Sequence, residues 1–153
     1  MSENKSIMGF FRENLSESPV IRVEMDFSNS TWQVKESFKS FCGDTYEERI
    51  EISKRAFINA FNKNCRDLTV SDVDGNDKYY IVVKVNNLKR RVSVMRIPPR
   101  IKVEIEGVLM VVDNTTKTTV KTMNYDLMGE EDLAPADRLA NSFDLLARKL
   151  LRS

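Results

Sequence analysis

Ile101, Val103, Ile105, Leu109 and Val111 fall at odd positions, with Lys102, Glu104 and Glu106 between the first of them. Successive side chains of a strand point to opposite faces, so this pattern predicts a long strand with one apolar and one wet side. Beyond Glu106 the second face also turns apolar, with Val108, Met110 and Val112, which predicts cover on both sides at that end. Asp113-Asn114-Thr115-Thr116 favours a turn, because short polar side chains bond to nearby backbone. Thr118 to Tyr125 then returns as an antiparallel partner rich in β-formers. The rest of the chain is read around this hairpin.

Ile7, Phe10, Phe11 and Leu15 recur with helical spacing and predict a short amphipathic helix. It either folds back on its own core or serves as an arm that packs Phe10 and Phe11 on a neighbour. Ile21, Val23, Met25 and Phe27 alternate with charged residues and predict a half-buried strand. Trp32, Val34, Phe38 and Phe41 fit neither period well, and a short helix over about Val34 to Phe41 is assigned there. A clearer helix follows, with the capping-box pattern Thr45-x-x-Glu48 and the stripe Tyr46, Ile50, Ser53, Phe57, Ala60 and Phe61. Leu68 to Val73 predicts a short strand, and Tyr79, Ile81, Val83 and Val85 a central one. Val92, Val94 and Ile97 predict a further strand leading into a bend at Pro98-Pro99. Leu139, Phe143, Leu146 and Leu150 mark a last helix opened by Pro135.

Together these elements predict an α+β fold: a two-layer sandwich with a mostly antiparallel sheet of four to six strands and two long helices on one face. Residues 19–153 form a single α+β domain, preceded by an N-terminal arm or short helix over residues 1–18.

Composition removes several chemistries. The chain has no histidine, and so lacks the commonest general base and metal ligand. Cys42 and Cys65 have neither zinc spacing nor the numbers for a disulfide framework. Asp72 to Asp77 resembles a calcium loop, but Val70 and Ile81 occupy the first and twelfth positions that an EF-hand needs as ligands. An Asp-Gly hairpin turn explains the stretch better. No Gly-rich phosphate loop or nucleophile motif is present, so neither an enzyme nor a cofactor or metal site is expected. There is no apolar run long enough for a membrane span and no secretory h-region at Met1 to Phe11, which predicts a cytoplasmic protein, or a virion protein if encoded by a bacteriophage.

Charge adds the one asymmetry. The total is +1, yet the window from Lys78 to Lys102 holds eight basic residues and no acidic one. The remainder carries 16 basic against 23 acidic residues, a formal −7. Lys89, Arg90, Arg91, Arg96 and Arg100 are the expected partner-binding residues, with Phe10 and Phe11. Other copies of the chain or other assembly proteins are the expected partners, basic edge against acidic face. A nucleic-acid-binding module that uses the 78–102 segment ranks behind this, because the segment's aromatics, Tyr79 and Tyr80, read as core.

Three stretches bring a family likeness: Val23-Glu24-Met25-Asp26-Phe27-Ser28, Ala56-Phe57-Ile58-Asn59-Ala60-Phe61-Asn62, and Ile105-Glu106-Gly107-Val108-Leu109-Met110-Val111-Val112-Asp113-Asn114-Thr115-Thr116-Lys117. With the closing Leu145-Leu146-Ala147 helix, the chain from about Val20 resembles small bacterial α/β assembly domains. These include the periplasmic domain of the curli-secretion lipoprotein and uncharacterised lipoproteins of Bacteroides-like bacteria. The resemblance implies a non-enzymatic assembly part, in some cases a ring. This chain departs from them in showing no signal peptide or lipidated cysteine. The expectation is therefore a non-catalytic structural subunit that self-associates or docks in a larger complex, such as a ring or a bacteriophage connector or tail component. An envelope accessory protein is the further alternative.

Overall fold

The computed structural model describes residues 6–15, 19–73, 78–93, 100–129 and 135–153, with backbone alone at positions 93, 100 and 135–137. The chain runs α1 (Ile7–Asn14), β1 (Val20–Asp26), β2 (Thr31–Trp32), β3 (Glu36–Ser37), α2 (Phe38–Cys42), a 3-10 turn (Gly43–Thr45) and α3 (Tyr46–Asn64). It continues through β4 (Thr69–Ser71), β5 (Tyr79–Ser93), β6 (Arg100–Asp113), β7 (Thr119–Met128) and α4 (Pro135–Leu151).

The α+β class holds, but the sheet is mixed, with seven strands among the described residues. β5, β6 and β7 form an antiparallel meander. On its other edge β5 takes two parallel neighbours in tandem, β1 along Ile81–Lys84 and β2 along Asn87–Leu88. β4 lies outside β1, also parallel, and β3 outside β2, antiparallel. The expectation of a mostly antiparallel sheet fails because α3 carries the chain back between β1 and β4, as a parallel pair requires. β4 and β5 then run the same way on either side of β1, so they do not form the expected hairpin. The Asp74-Gly75 turn itself lies outside the described residues.

The two long helices pack side by side on one face of the sheet. Phe57, Ile58 and Phe61 of α3 and Leu139, Phe143, Leu146 and Leu150 of α4 meet Ile21, Val23, Ile81, Val83, Ile105, Leu109 and Val111 in one core. α1 joins that core through Ile7, Met8 and Phe11, which is fully buried, while Phe10 meets Tyr79 edge-on at 5.1 Å. Phe11 therefore serves the chain's own interior and has no surface left to offer a neighbour, whereas Phe10 stays partly exposed. Among the described residues no helix packs on the opposite face, where Val108 and Met110 stay half-exposed. Of the three apolar residues expected to be covered on that face, only Val112 is buried among the described residues.

Two further local expectations are corrected. Val34 to Ser37 is not helical: a turn at Gln33-Val34-Lys35 joins β2 to β3, and the helix starts only at Phe38. The capping box at Thr45 does not form, because the 3-10 turn runs directly into α3. The Thr45 hydroxyl instead donates to the Cys42 carbonyl at 2.9 Å, and the Tyr46 N–H bonds to the Gly43 carbonyl.

One irregularity governs β5. Its register with β6 shifts between Val85 and Asn87, leaving Asn86 as a bulge. Three carbonyls at this break accept bonds from hydroxyls. Tyr125 Oη donates to Lys84 at 2.8 Å, Ser30 Oγ to Val85, and Thr31 Oγ1 to Asn86 at 3.3 Å. Tyr125 reaches Lys84 by crossing over Gly107, where a Cβ would stand 2.0 Å from the Lys84 oxygen and 2.6 Å from the phenol oxygen. Burial pushes the Tyr125 phenol well above its ordinary range, so it stays a neutral donor.

Ser30→Ala and Tyr125→Phe each leave a backbone carbonyl at the break without its donor. Each is expected to cost about 1–3 kcal/mol of unfolding free energy. Gly107→Ala adds overlap with backbone that cannot move and is expected to cost more than either. Urea unfolding monitored by circular dichroism checks the order, and an unaffected Gly107→Ala would contradict the crossing of Tyr125.

Candidate functional site

The bulge also decides where the basic residues point. Before it, Ile81, Val83 and Val85 face the helices; after it, Leu88, Arg90 and Val92 do, paired with Ile105, Val103 and Ile101. Lys89 and Arg91 consequently turn to the helix-free face, beside Glu104 and Lys102. The sequence places Lys89, Arg90 and Arg91 in one run, and the structure separates them onto two surfaces. Arg96 lies outside the described residues, and Arg100 is described only as backbone, opposite Ser93.

On the helix-free face the charge is partly offset. Arg91 Nε donates to Glu104 Oε1 at 2.9 Å. That bond is the main reason the Glu104 carboxyl is held below its ordinary range, with burial opposing it. Lys89 and Lys102 flank the pair on this face, where Glu106 and Asp126 also stand close to Glu104.

The β5–β6 pair outruns its neighbours. β2 stops opposite Leu88, and β7 stops opposite Glu104. Beyond them, Lys89–Ser93 and Arg100–Val103 form a two-stranded ribbon with no described strand on either side. At its root the Arg90 N–H donates to Gln33 Oε1 at 3.0 Å, and Ser142 Oγ of α4 donates to the Val103 carbonyl at 2.5 Å. Arg90 and Val103 are opposite residues whose backbone groups point outward, so by alternation those of Val92 and Ile101 point outward too.

Against the foot of the ribbon, on the helix side, is a groove of about 220 Å³. Trp32, Phe38, Phe41 and Cys42 form one wall, Ile101 and Val103 another, and Leu139 closes the end. Trp32 and Phe41 stack at 4.1 Å with 13° between their planes. Three arginines stand around this apolar space: Arg49 from α3, Arg90 from β5 and Arg138 from α4. Among the described residues neither Arg49 nor Arg90 forms an ion pair. Burial pushes the Cys42 thiol up, with Arg49 pulling the other way.

Sequence reasoning found Arg90 and missed Phe41, Arg49 and Arg138. The available signal was the aromatic run Trp32–Phe38–Phe41, whose spacing suited neither a helix nor a strand. It belongs instead to a hairpin and a helix meeting at a corner. Val34 at the hairpin tip has a φ of 59°, in the left-handed region that β-branched residues avoid, and its N–H bonds to Asn87 Oδ1 at 3.1 Å. Asn87 also accepts from Thr31 Oγ1 at 2.7 Å, so the aromatic corner is fastened to β5 just after the bulge.

Among the described residues no helix is long and apolar enough to cross a membrane. No protein-family model matches the chain, and no curated protein matches it either. Solved structures are similar to it, and two of them are PelC dodecamers. A variant of the PelC dodecamer from Paraburkholderia phytofirmans covers 90% of this chain and 94% of its own, at 10% identity and a TM-score of 0.45. A second PelC dodecamer structure from the same organism covers 86% and 93%, at 9% identity and a TM-score of 0.43. Both neighbours are dodecamers. At such identity the likeness is one of chain path alone.

Val34→Gly removes the strained φ while exposing little, since Val34 is already 69% accessible. It is expected to raise Tm by about 2–4 °C, from roughly 1 kcal/mol. For Glu104, a carboxyl depressed in the folded state stabilises the fold above its unfolded pKa and loses that contribution as pH falls through the folded value. Arg91→Gln is expected to raise the Glu104 pKa back toward the ordinary carboxylate range and to flatten this acid-side loss. Carboxyl NMR titration of both proteins measures the shift, and identical Glu104 curves would disprove the pairing.

Proposed function

We propose that the chain is a non-catalytic assembly subunit that joins other copies of itself, or partner proteins, through the β5–β6 ribbon. The observation that carries this reading is that the ribbon extends past both neighbouring strands, with Arg90 on one face and Lys89 and Lys102 on the other. An unpaired strand edge is a template for another chain's strand, and the backbone bonds supply affinity while side chains set the partner. The rest of the chain, at a formal −7 outside the 78–102 window, supplies the complementary charge. Basic ribbon against acidic body is a contact between unlike surfaces, which closes into a ring when the rotation between copies permits. A ring, connector or tail component of a virion stays within this proposal as its finer form.

A second reading keeps the same residues. A two-stranded ribbon is one of the shapes that a DNA major groove admits, and Lys89, Arg91 and Lys102 share a face. Phosphate neutralisation would then show a steep fall of log affinity with log salt.

Mass measurement by sedimentation across concentration and salt tests the first reading. The wild type is expected to assemble at low salt, and Arg90→Glu with Arg91→Glu to shift it to monomer. A wild type that stays monomeric throughout, with no protein partner recovered from its host, overturns the reading. Tight, salt-steep binding of short DNA or RNA duplexes by that monomer would put the second reading in its place.

A further inference from the structure

We infer that the groove at the foot of the ribbon is a docking site for an acidic peptide segment carrying one aliphatic or aromatic anchor, presented by another protein chain. The inference deepens the assembly reading by naming the chemistry of the docked segment, and the two can fail separately.

Three observations define the occupant. The first is size: about 220 Å³ falls below the roughly 300–1,000 Å³ of sites that hold cofactors or drug-sized ligands. It suits a single large side chain, the kind of buried anchor on which peptide recognition concentrates its energy. The second is the lining: Trp32, Phe41, Ile101, Val103 and Leu139 offer an apolar receptacle, and Phe41 is 48% accessible although large and aromatic. The stacked Trp32–Phe41 pair gives one wall a flat, rigid surface at little entropic cost, because aromatic side chains have few rotatable bonds.

The third is charge. Arg49 and Arg90 reach the rim from different elements, and neither is neutralised by an acidic side chain among the described residues. An apolar anchor with carboxylates beside it satisfies both the floor and the rim. A basic or neutral segment would leave two guanidinium groups desolvated and unmatched. Guanidinium groups also bind carboxylates in a fixed planar geometry, which orients the segment across the groove.

A built-in reporter makes this measurable. Trp32 is the only tryptophan of the chain and lines the groove, so its fluorescence reads occupancy directly. The probe is an acetylated, amidated pentapeptide with a central leucine and two glutamates on each side, titrated into the full-length protein at low salt. A saturable change in Trp32 emission is expected. It should be lost with lysines in place of the glutamates or alanine in place of the leucine. Arg49→Glu and Arg90→Glu should each weaken binding roughly tenfold or more. Arg49 is the sharper test, since it takes no part in the ribbon.

No saturable change, equal response to the lysine-flanked peptide, or an unchanged affinity in both arginine variants overturns the inference. Tighter binding of dodecanoate than of the peptide also overturns it, because the site would then serve a lipid-like carboxylate. An assembled wild type that ignores the peptide removes this inference and leaves the assembly reading standing. A monomer that binds the peptide does the reverse.

Discussion

One extra residue in β5 has to be accommodated, and much of the molecule depends on how that is done. Asn86 breaks the ladder with β6, and the carbonyls of Lys84, Val85 and Asn86 take hydroxyl donors from Tyr125, Ser30 and Thr31. Those donors come from the far strand of the meander, from the loop leading into β2 and from β2 itself. The break therefore ties together elements distant in sequence, and a buried carbonyl without such a donor would be costly. Gly107 is the concession that lets the phenol cross β6.

The same residue inverts which side chains face the helices. Without the shift, Lys89 and Arg91 would point at the aromatic corner and Arg90 at the opposite surface. With it, Leu88 enters the core and Arg90 stands over the groove. Charge along the chain and charge on the surface are consequently different maps. The basic window is real, but it divides into a face tempered by Glu104 and a rim around an apolar hollow.

Much of this architecture was legible beforehand, for a physical reason: burial on one face imprints a period on the sequence. β6 and β7, β1, α3 and α4 were all read from such periods, and the Asp113 turn from its side-chain chemistry, with Asp113 Oδ1 accepting from the Thr115 and Thr116 amides. What escaped were features without a period. The bulge split β5 into two apparent segments, because alternation through Val85 is out of phase with that from Leu88. Parallel pairing of β1 with β4 and β5 leaves no local mark, since it depends on where α3 returns the chain. Thr45 satisfied the letter of a cap but sits inside a turn already wound. Arg49 and Arg138 look like ordinary solvated helix charges, and only the fold sets them beside Trp32 and Arg90.

Gln33 and Ser142 each plug an outward backbone group at the ribbon's root. Whatever strand lies down along either side must begin past these stoppers, and so finds only a few described residues of open edge. Such a track is long enough to steer a docking partner and too short to seed the endless stacking of like chains seen in fibrils. On the assembly reading proposed above, the ribbon would keep a sticky margin while limiting how far stickiness can spread.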